Sequence, residues 1–432
     1  MIAELAARLD LPPDALVPYG RNVAKLEDPP RPPRGKLILV SAMTPTARGE
    51  GKTTISIGLG DGLSAIGERV VIALRQPSLG PLFGIKGGGS GGGKCVLVPA
   101  ERVDIHFTGD LHAIAAAHNL LAAAVDNHLH FKTELDLDPA AIAWRRTVDM
   151  NDRALRKIRI GVGDVEERDS GFIATAASEI NAVLGLASDA ADLRARISRI
   201  IVGTDRSGRP VTAAQIGVVG AMMRLLAEAI HPNLVRTAEG TPSFVHGGPF
   251  ANIAHGCSSV IATRSALGLA DWVITEAGFG FDLGGEKFFD IKCRSAGLDA
   301  AAVVLVATAA SLAAHGHGSL DAGLANAAAH LEAVRPDANP PFSPLEANYG
   351  DPVPDGLEYP LFVKPVKAAF SVLAKRVDSH AQLHRHTRFG AWELWVIRHL
   401  VEPRPASTRG SAAVRSTSLR AAAVTNDARV VR

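Results

Sequence analysis

The chain has 432 residues, 47% hydrophobic and 21% charged, which supplies a large core and excludes a disordered chain. Lysine plus arginine total 46 and aspartate plus glutamate 44, so the formal net charge is only +2 and no nucleic-acid partner is indicated. The three cysteines, Cys95, Cys257 and Cys293, have no CxxC spacing, which argues against a disulfide framework or a thiolate metal site and for reduced thiols in the cytoplasm.

In chain order, the N-terminal MIAELAARLDLPPDA carries Glu4 and Asp10 and lacks a basic stretch, so it does not read as a signal peptide. KLILVSAM (36–43) reads as the first buried strand, followed by a helix near 53–66. RVVIALR (69–75) is the second strand, and helices are expected near 110–129 and 176–197. RIIVGT (199–204) reads as a third strand, with helices near 212–230 and 253–269. DWVITEAG (271–278) and AAVVLVAT (301–308) complete the set. These runs are continuous rather than alternating, as in parallel strands covered on both faces. Strand–helix alternation predicts an α/β fold, a doubly wound and mostly parallel sheet. The longest apolar stretch, 300–312, is too short to span a membrane.

The strongest local signal is TPTARGEGKTT (44–54), directly after the first strand and opening a helix. Gly49 and Gly51 allow a sharp turn whose N–H groups face a phosphate, and the helix N-terminus adds partial positive charge. Lys52 is placed to reach the terminal phosphates of ATP, and the Thr53 hydroxyl to ligate Mg²⁺. Thr44, Thr46, Gly49, Glu50, Gly51 and Thr54 complete the expected nucleotide-binding set. Thr46 stands where the first glycine of GxxxxGK[ST] belongs, so this is a variant of the loop found in P-loop NTPases.

Arg75 ends the second strand, where ligands of open α/β sheets sit, and its guanidinium suits a carboxylate or phosphate. The glycine-rich run 87–93 that follows has little packing value and a high ordering cost, which points to ligand contact rather than structure. In DIHFTGDLHAI (104–114), His106, Asp110 and His112 cluster at a strand–helix junction, with helix capping as the plain reading of Asp110. In TEAGFGFDLGGEKFFDIKCR (275–294), Glu276, Asp282 and Glu286 are candidates for a metal or cationic group, and Phe279 for stacking on a flat ligand.

Taken together, GEGKTT, PSLGPLFGIKGG, HFTGDLHAI, DMNDRALR, EGTPSFVHGGPFANIAHGCSSVIAT, TEAGFGFDLGGEKFFDIKCR and VVLVAT resemble the formate–tetrahydrofolate ligase family, in family order from near residue 15 to about 332. The resemblance implies that formate, ATP and tetrahydrofolate give 10-formyltetrahydrofolate, ADP and phosphate through formyl phosphate. It implies Lys52 at the transferring phosphoryl group, Arg75 on formate and formyl phosphate, and His106, Asp110 or His112 orienting formate or accepting the N10 proton. It puts Phe279 on the folate side. Mg²⁺ and a monovalent cation are the ions it brings, and a homo-oligomer, a tetramer, is the assembly.

Departures from the family pattern are Ala47-Arg48 for Pro-Ala, Gln76 for Glu, and Phe281 and Gly285 for Ala; Phe281 is expected to obstruct the folate pocket. The chain divides into a ligase-like P-loop core (1–334), a divergent Pro-rich region (335–401), and a tail expected to be disordered (402–432), with six arginines and no aromatic residue. A truncated or frameshifted member, with incomplete adenine and folate sites and little activity, is the expectation. A phosphate-binding remnant that pairs with a family oligomer, and another P-loop carboxylate-activating ligase, stay open as alternatives.

Overall fold

The computed structural model describes residues 2–43, 45–46, 49–83, 89–163, 167–316 and 321–322, and short strand segments at 343–345, 361–363, 375–377, 394–398, 420–424 and 430–431. Its centre is a set of five parallel strands: β1 (Lys36–Ala42), β2 (Val70–Leu74), β3 (Pro242–Val245), β4 (Trp272–Glu276) and β5 (Ala302–Val306). Their spatial order is β3-β2-β4-β1-β5, so the chain crosses over repeatedly and both faces need a cover.

Alternate residues supply the two faces. Ile38, Val40, Ile72, Ile274 and Val304 pack with Ile57 of helix α1 (Lys52–Ala65). Leu37, Leu39, Val71, Val273 and Val303 pack with Ala262 and Ala266 of helix α3 (Val260–Leu269). That is why these strands read as unbroken apolar runs: all five residues of β2 are buried.

Beyond β3 the sheet turns antiparallel. Asn233–Thr237 pairs with β3, with Ala24–Leu26 and with Cys95–Val98. A further hydrophobic cluster lies around the long helix α2 (Asp110–His130), where Leu121 and Val125 meet Ile180, Leu193 and Met222. The central sheet is therefore mostly parallel in a mixed α/β molecule.

Two expectations need correction. RIIVGT is a strand, Ile201–Thr204, but it pairs antiparallel with Pro210–Thr212 in a separate two-stranded sheet, with Ile201 53% exposed. The place expected for it in the core belongs to β3, which is not among the strands expected from the apolar runs. The helices expected over 176–197 and 212–230 are each broken. The first stops at Leu186 and restarts after the Asp189 cap, and the second is interrupted by Gly217 at φ 85°. Within 402–432, Arg420–Val424 lies parallel to β5 and Val430–Val431 pairs back on it. The rest of that stretch, and most of 335–401, lies outside the described residues. Among the described residues no helix is long and apolar enough to cross a membrane.

Candidate functional site

The glycine loop leaves β1 at its C-terminal end. Gly49 and Gly51 hold φ of 79° and 73°, left-handed values that suit glycine, and the helix starts at Lys52. Glu50 is 3% exposed, and its carboxylate braces the loop. It accepts the Thr46 N–H at 3.1 Å and the Thr308 hydroxyl at 2.5 Å. Thr308 in turn caps the helix after β5, so this candidate ligand serves as a tie between two strand ends. Lys52, Thr53 and Thr54 are half-buried on the first turn of α1. Thr44 and Arg48 lie outside the described residues.

Three strand ends then converge. The Thr53 hydroxyl donates to Glu276 Oε2 at 2.8 Å, and Glu276 closes β4 at 4% exposure. Arg75, just past β2, brings its Nε to 3.8 Å from Glu276 Oε1. Arg75 passes close to Gly278, where an added Cβ would stand 2.8 Å from its Nη1. Phe279 follows at φ 60°, a left-handed conformation uncommon outside glycine, and is half-buried. Asp282 and Glu286 lie further along, in and just beyond the π-helical turn Phe281–Gly285. Among the described residues no three His, Cys, Asp or Glu groups cluster tightly enough to cage a metal.

Beside this junction opens a cleft of about 300 Å³. Gln76, Leu79, His106, His112, Asn119 and Asp149 line it. His106 is exposed and holds φ 56°, so it sits in the cleft in a strained backbone turn. Asp149 was not singled out from sequence. Burial pushes its carboxyl pKa up, against the Leu79 N–H at 3.3 Å and the nearby His106, which favour the charged form. Only its place in the DMNDRALR segment pointed towards it.

Asp110 is not brought to the cleft. It is 3% exposed, and Oδ1 accepts from Lys25 Nζ at 2.7 Å while Oδ2 accepts from Asn233 Nδ2 at 2.6 Å. Lys25 itself is 2% exposed and also donates to Asn233 Oδ1 at 3.0 Å and the His231 carbonyl at 3.2 Å. With one oxygen of Asp110 in the buried ion pair with Lys25 and the other held by the Asn233 amide, only His106 and His112 of the three candidates at this junction line the cleft.

The family model for formate–tetrahydrofolate ligase matches residues 1–337. The chain belongs to the formate–tetrahydrofolate ligase family. It is 53% identical over 350 residues to the formate–tetrahydrofolate ligase of Zymomonas mobilis, covering 77% of this chain and 63% of that protein. The ligase of a Methylobacterium species, strain 4-46, is 52% identical over 353 residues with the same coverages. That of Maricaulis maris is 53% identical over 350 residues, again across 77% of this chain and 63% of the relative. The chain thus spans about 63% of the length of the curated relatives it matches.

Against the ligase pattern, Phe281 and Gly285 are one change rather than two. A Cβ on Gly285 would stand 2.5 Å from the Phe281 ring, so the large residue occupies space that the small one vacates. Phe281 is 8% exposed, belongs to the core cluster and has its ring centroid 6.3 Å from that of Phe289. Gly285→Ala is therefore expected to destabilise the fold by about 1–3 kcal/mol through overpacking. In the Phe281→Ala background the same methyl should be tolerated. Urea-unfolding midpoints of the four chains in this cycle measure it, and additive free energies would show that ring and methyl do not meet.

Proposed function

We propose that this chain activates formate with ATP as the first half of ligating formate to tetrahydrofolate, giving 10-formyltetrahydrofolate, ADP and phosphate. One observation carries the reading: Thr53 of the glycine loop, Glu276 and Arg75 meet at the C-terminal ends of three parallel strands, the usual ligand edge of such a sheet. The sheet is then of the P-loop NTPase type. The loop N–H groups and Lys52 hold the phosphates, and Arg75 holds formate in line with the γ-phosphate. Phosphoryl transfer needs mainly this positioning and charge neutralisation.

Formate oxygen attacks the γ-phosphorus, the bond to the ADP oxygen breaks, and formyl phosphate and ADP result. Arg75 retains the acyl phosphate until N10 of tetrahydrofolate attacks the formyl carbon and phosphate leaves. The N10 proton goes to His106 or His112, the candidates that face the cleft, with the Asp149 carboxylate beside His106. Phe279 lies against the folate. Thr53 Oγ1 and Glu276 fit Mg²⁺, which takes hard oxygen ligands from few protein groups and completes its shell with phosphate and water. When bound, that ion offsets charge on the phosphates. The reading includes a cytoplasmic homo-oligomer.

The purified chain with MgATP is expected to form ADP at a rate that rises with formate, and 10-formyltetrahydrofolate when tetrahydrofolate is added. ADP formation that is identical with and without formate would remove the carboxylate-activating reading.

A further inference from the structure

The turn that carries His106 into the cleft does not hold itself. His106 and Phe107 have φ of 56° and 40°, and Gly109 follows at 90°. Left-handed backbone at two consecutive residues with side chains is costly and persists only where the surroundings over-determine it. Phe107, 5% exposed, is fixed by the core. Thr108 and Asp110 are both held by one distant residue, Asn233.

Asn233 is fully buried, and every hydrogen bond its amide can make is made. Oδ1 accepts from Thr108 Oγ1 at 2.7 Å and from Lys25 Nζ at 3.0 Å. Nδ2 donates to Asp110 Oδ2 at 2.6 Å and to the Val245 carbonyl at 3.0 Å. The partners fix the orientation of the amide, because an ammonium only donates while a carboxylate and a carbonyl only accept. An aspartate here would have nothing to donate, and a leucine nothing to offer at all. Val245 closes β3 and pairs with Leu74, the residue before Arg75. Just beyond, the Gln76 N–H donates to the Gly247 carbonyl at 2.7 Å. One side-chain amide therefore joins the strand ends beside Arg75 to the turn that bears His106. It also holds the first residue of α2, which His112 follows on the same helical turn.

We propose that Asn233 is the positioning residue that sets His106 and His112 against the strand ends beside Arg75. This rests on the reading above, in which one of these histidines takes the N10 proton. Asn233 touches no reacting atom; it fixes where the imidazoles stand. Proton transfer needs its two partners within hydrogen-bond reach, so a small displacement of the turn slows formyl transfer to N10. Formation of ADP and formyl phosphate works on the glycine loop and Arg75 and does not use the histidines. A loss confined to the second half-reaction separates positioning from a general loss of structure.

Two variants of the whole chain cut different arms of the network. Thr108→Val removes only the hydroxyl that ties the turn to Asn233 Oδ1. Asn233→Asp keeps the acceptor for Thr108 and Lys25 and loses both donations. The probe is the pair of His106 and His112 ring signals in ¹⁵N-histidine-labelled protein, assigned by their loss in His106→Gln and His112→Gln. In Thr108→Val the circular dichroism is expected to match the parent while the ring signals move. Formation of 10-formyltetrahydrofolate should fall at least about tenfold, with formate-dependent ADP formation within about twofold of the parent. Asn233→Asp is expected to move the same signals further and to lower the melting temperature. Unmoved ring signals in Thr108→Val overturn the positioning role and leave the ligase reading standing. An equal fall of both half-reactions does the same, since it marks a purely structural network. A parent chain without formate-dependent ADP formation overturns the ligase reading, and with it the proton-accepting part of this proposal; ring signals that move in the variants then uphold the placement of the turn alone.

Discussion

Asp110→Asn is expected to destabilise the chain by about 3–5 kcal/mol, because it strands the buried Lys25 ammonium without its counter-charge. The two side chains are 2% and 4% exposed and meet at 2.7 Å, so solvent cannot take over from the lost carboxylate. The position also opens α2, where a negative charge is favourable, so the substitution loses that interaction as well. Replacing the pair together, Lys25→Met with Asp110→Leu, should recover part of the loss, since an apolar pair has no charge to desolvate. Urea-unfolding midpoints of the parent, the single variant and the pair decide it. An Asp110→Asn chain within about 1 kcal/mol of the parent would return Asp110 to the catalytic candidates.

Lys52→Ala is expected to weaken MgATP binding by about 10- to 100-fold, the equivalent of roughly 1.5–3 kcal/mol for a hydrogen bond to a charged group. Lys52 occupies the first helical position after Gly51, half-buried, and its removal leaves the sheet packing intact. Far-UV circular dichroism and the melting temperature should therefore match the parent while calorimetric affinity falls. Thr53→Val is a useful companion, since it removes only the hydroxyl that bonds Glu276. Parent-like MgATP affinity in Lys52→Ala would take the phosphate site away from this loop.

The strands β1, β2, β4 and β5 were legible because each is covered on both faces, and a strand covered on both faces has no polar side to interrupt its apolar run. β3 was not legible. Its four residues, Pro-Ser-Phe-Val, lie between turn glycines, and what makes them a core strand is register against β2, far away in the chain. Ile201–Thr204 shows the converse: its apolar letters suit a core strand, yet its pairing partner is the nearby Pro210–Thr212.

The same division runs through the site. The glycine–lysine–threonine turn is a local device, set by which residues tolerate a left-handed backbone at the mouth of a helix, and the text alone specifies it. The resemblance to the ligase family was likewise carried by the letters. Tertiary structure decided which side chains those devices meet. It brought Glu276 to Thr53 across a separation of 223 residues and to Arg75 beside it. It also turned Asp110 inward to Lys25 and Asn233, while His106 and His112 on either side of it faced the cleft. Periodicity and turn chemistry act over a few residues and can be read in a line. Whether a carboxylate becomes a ligand or half of a buried ion pair depends on charge and solvent brought near by distant segments, and only the folded chain supplies those.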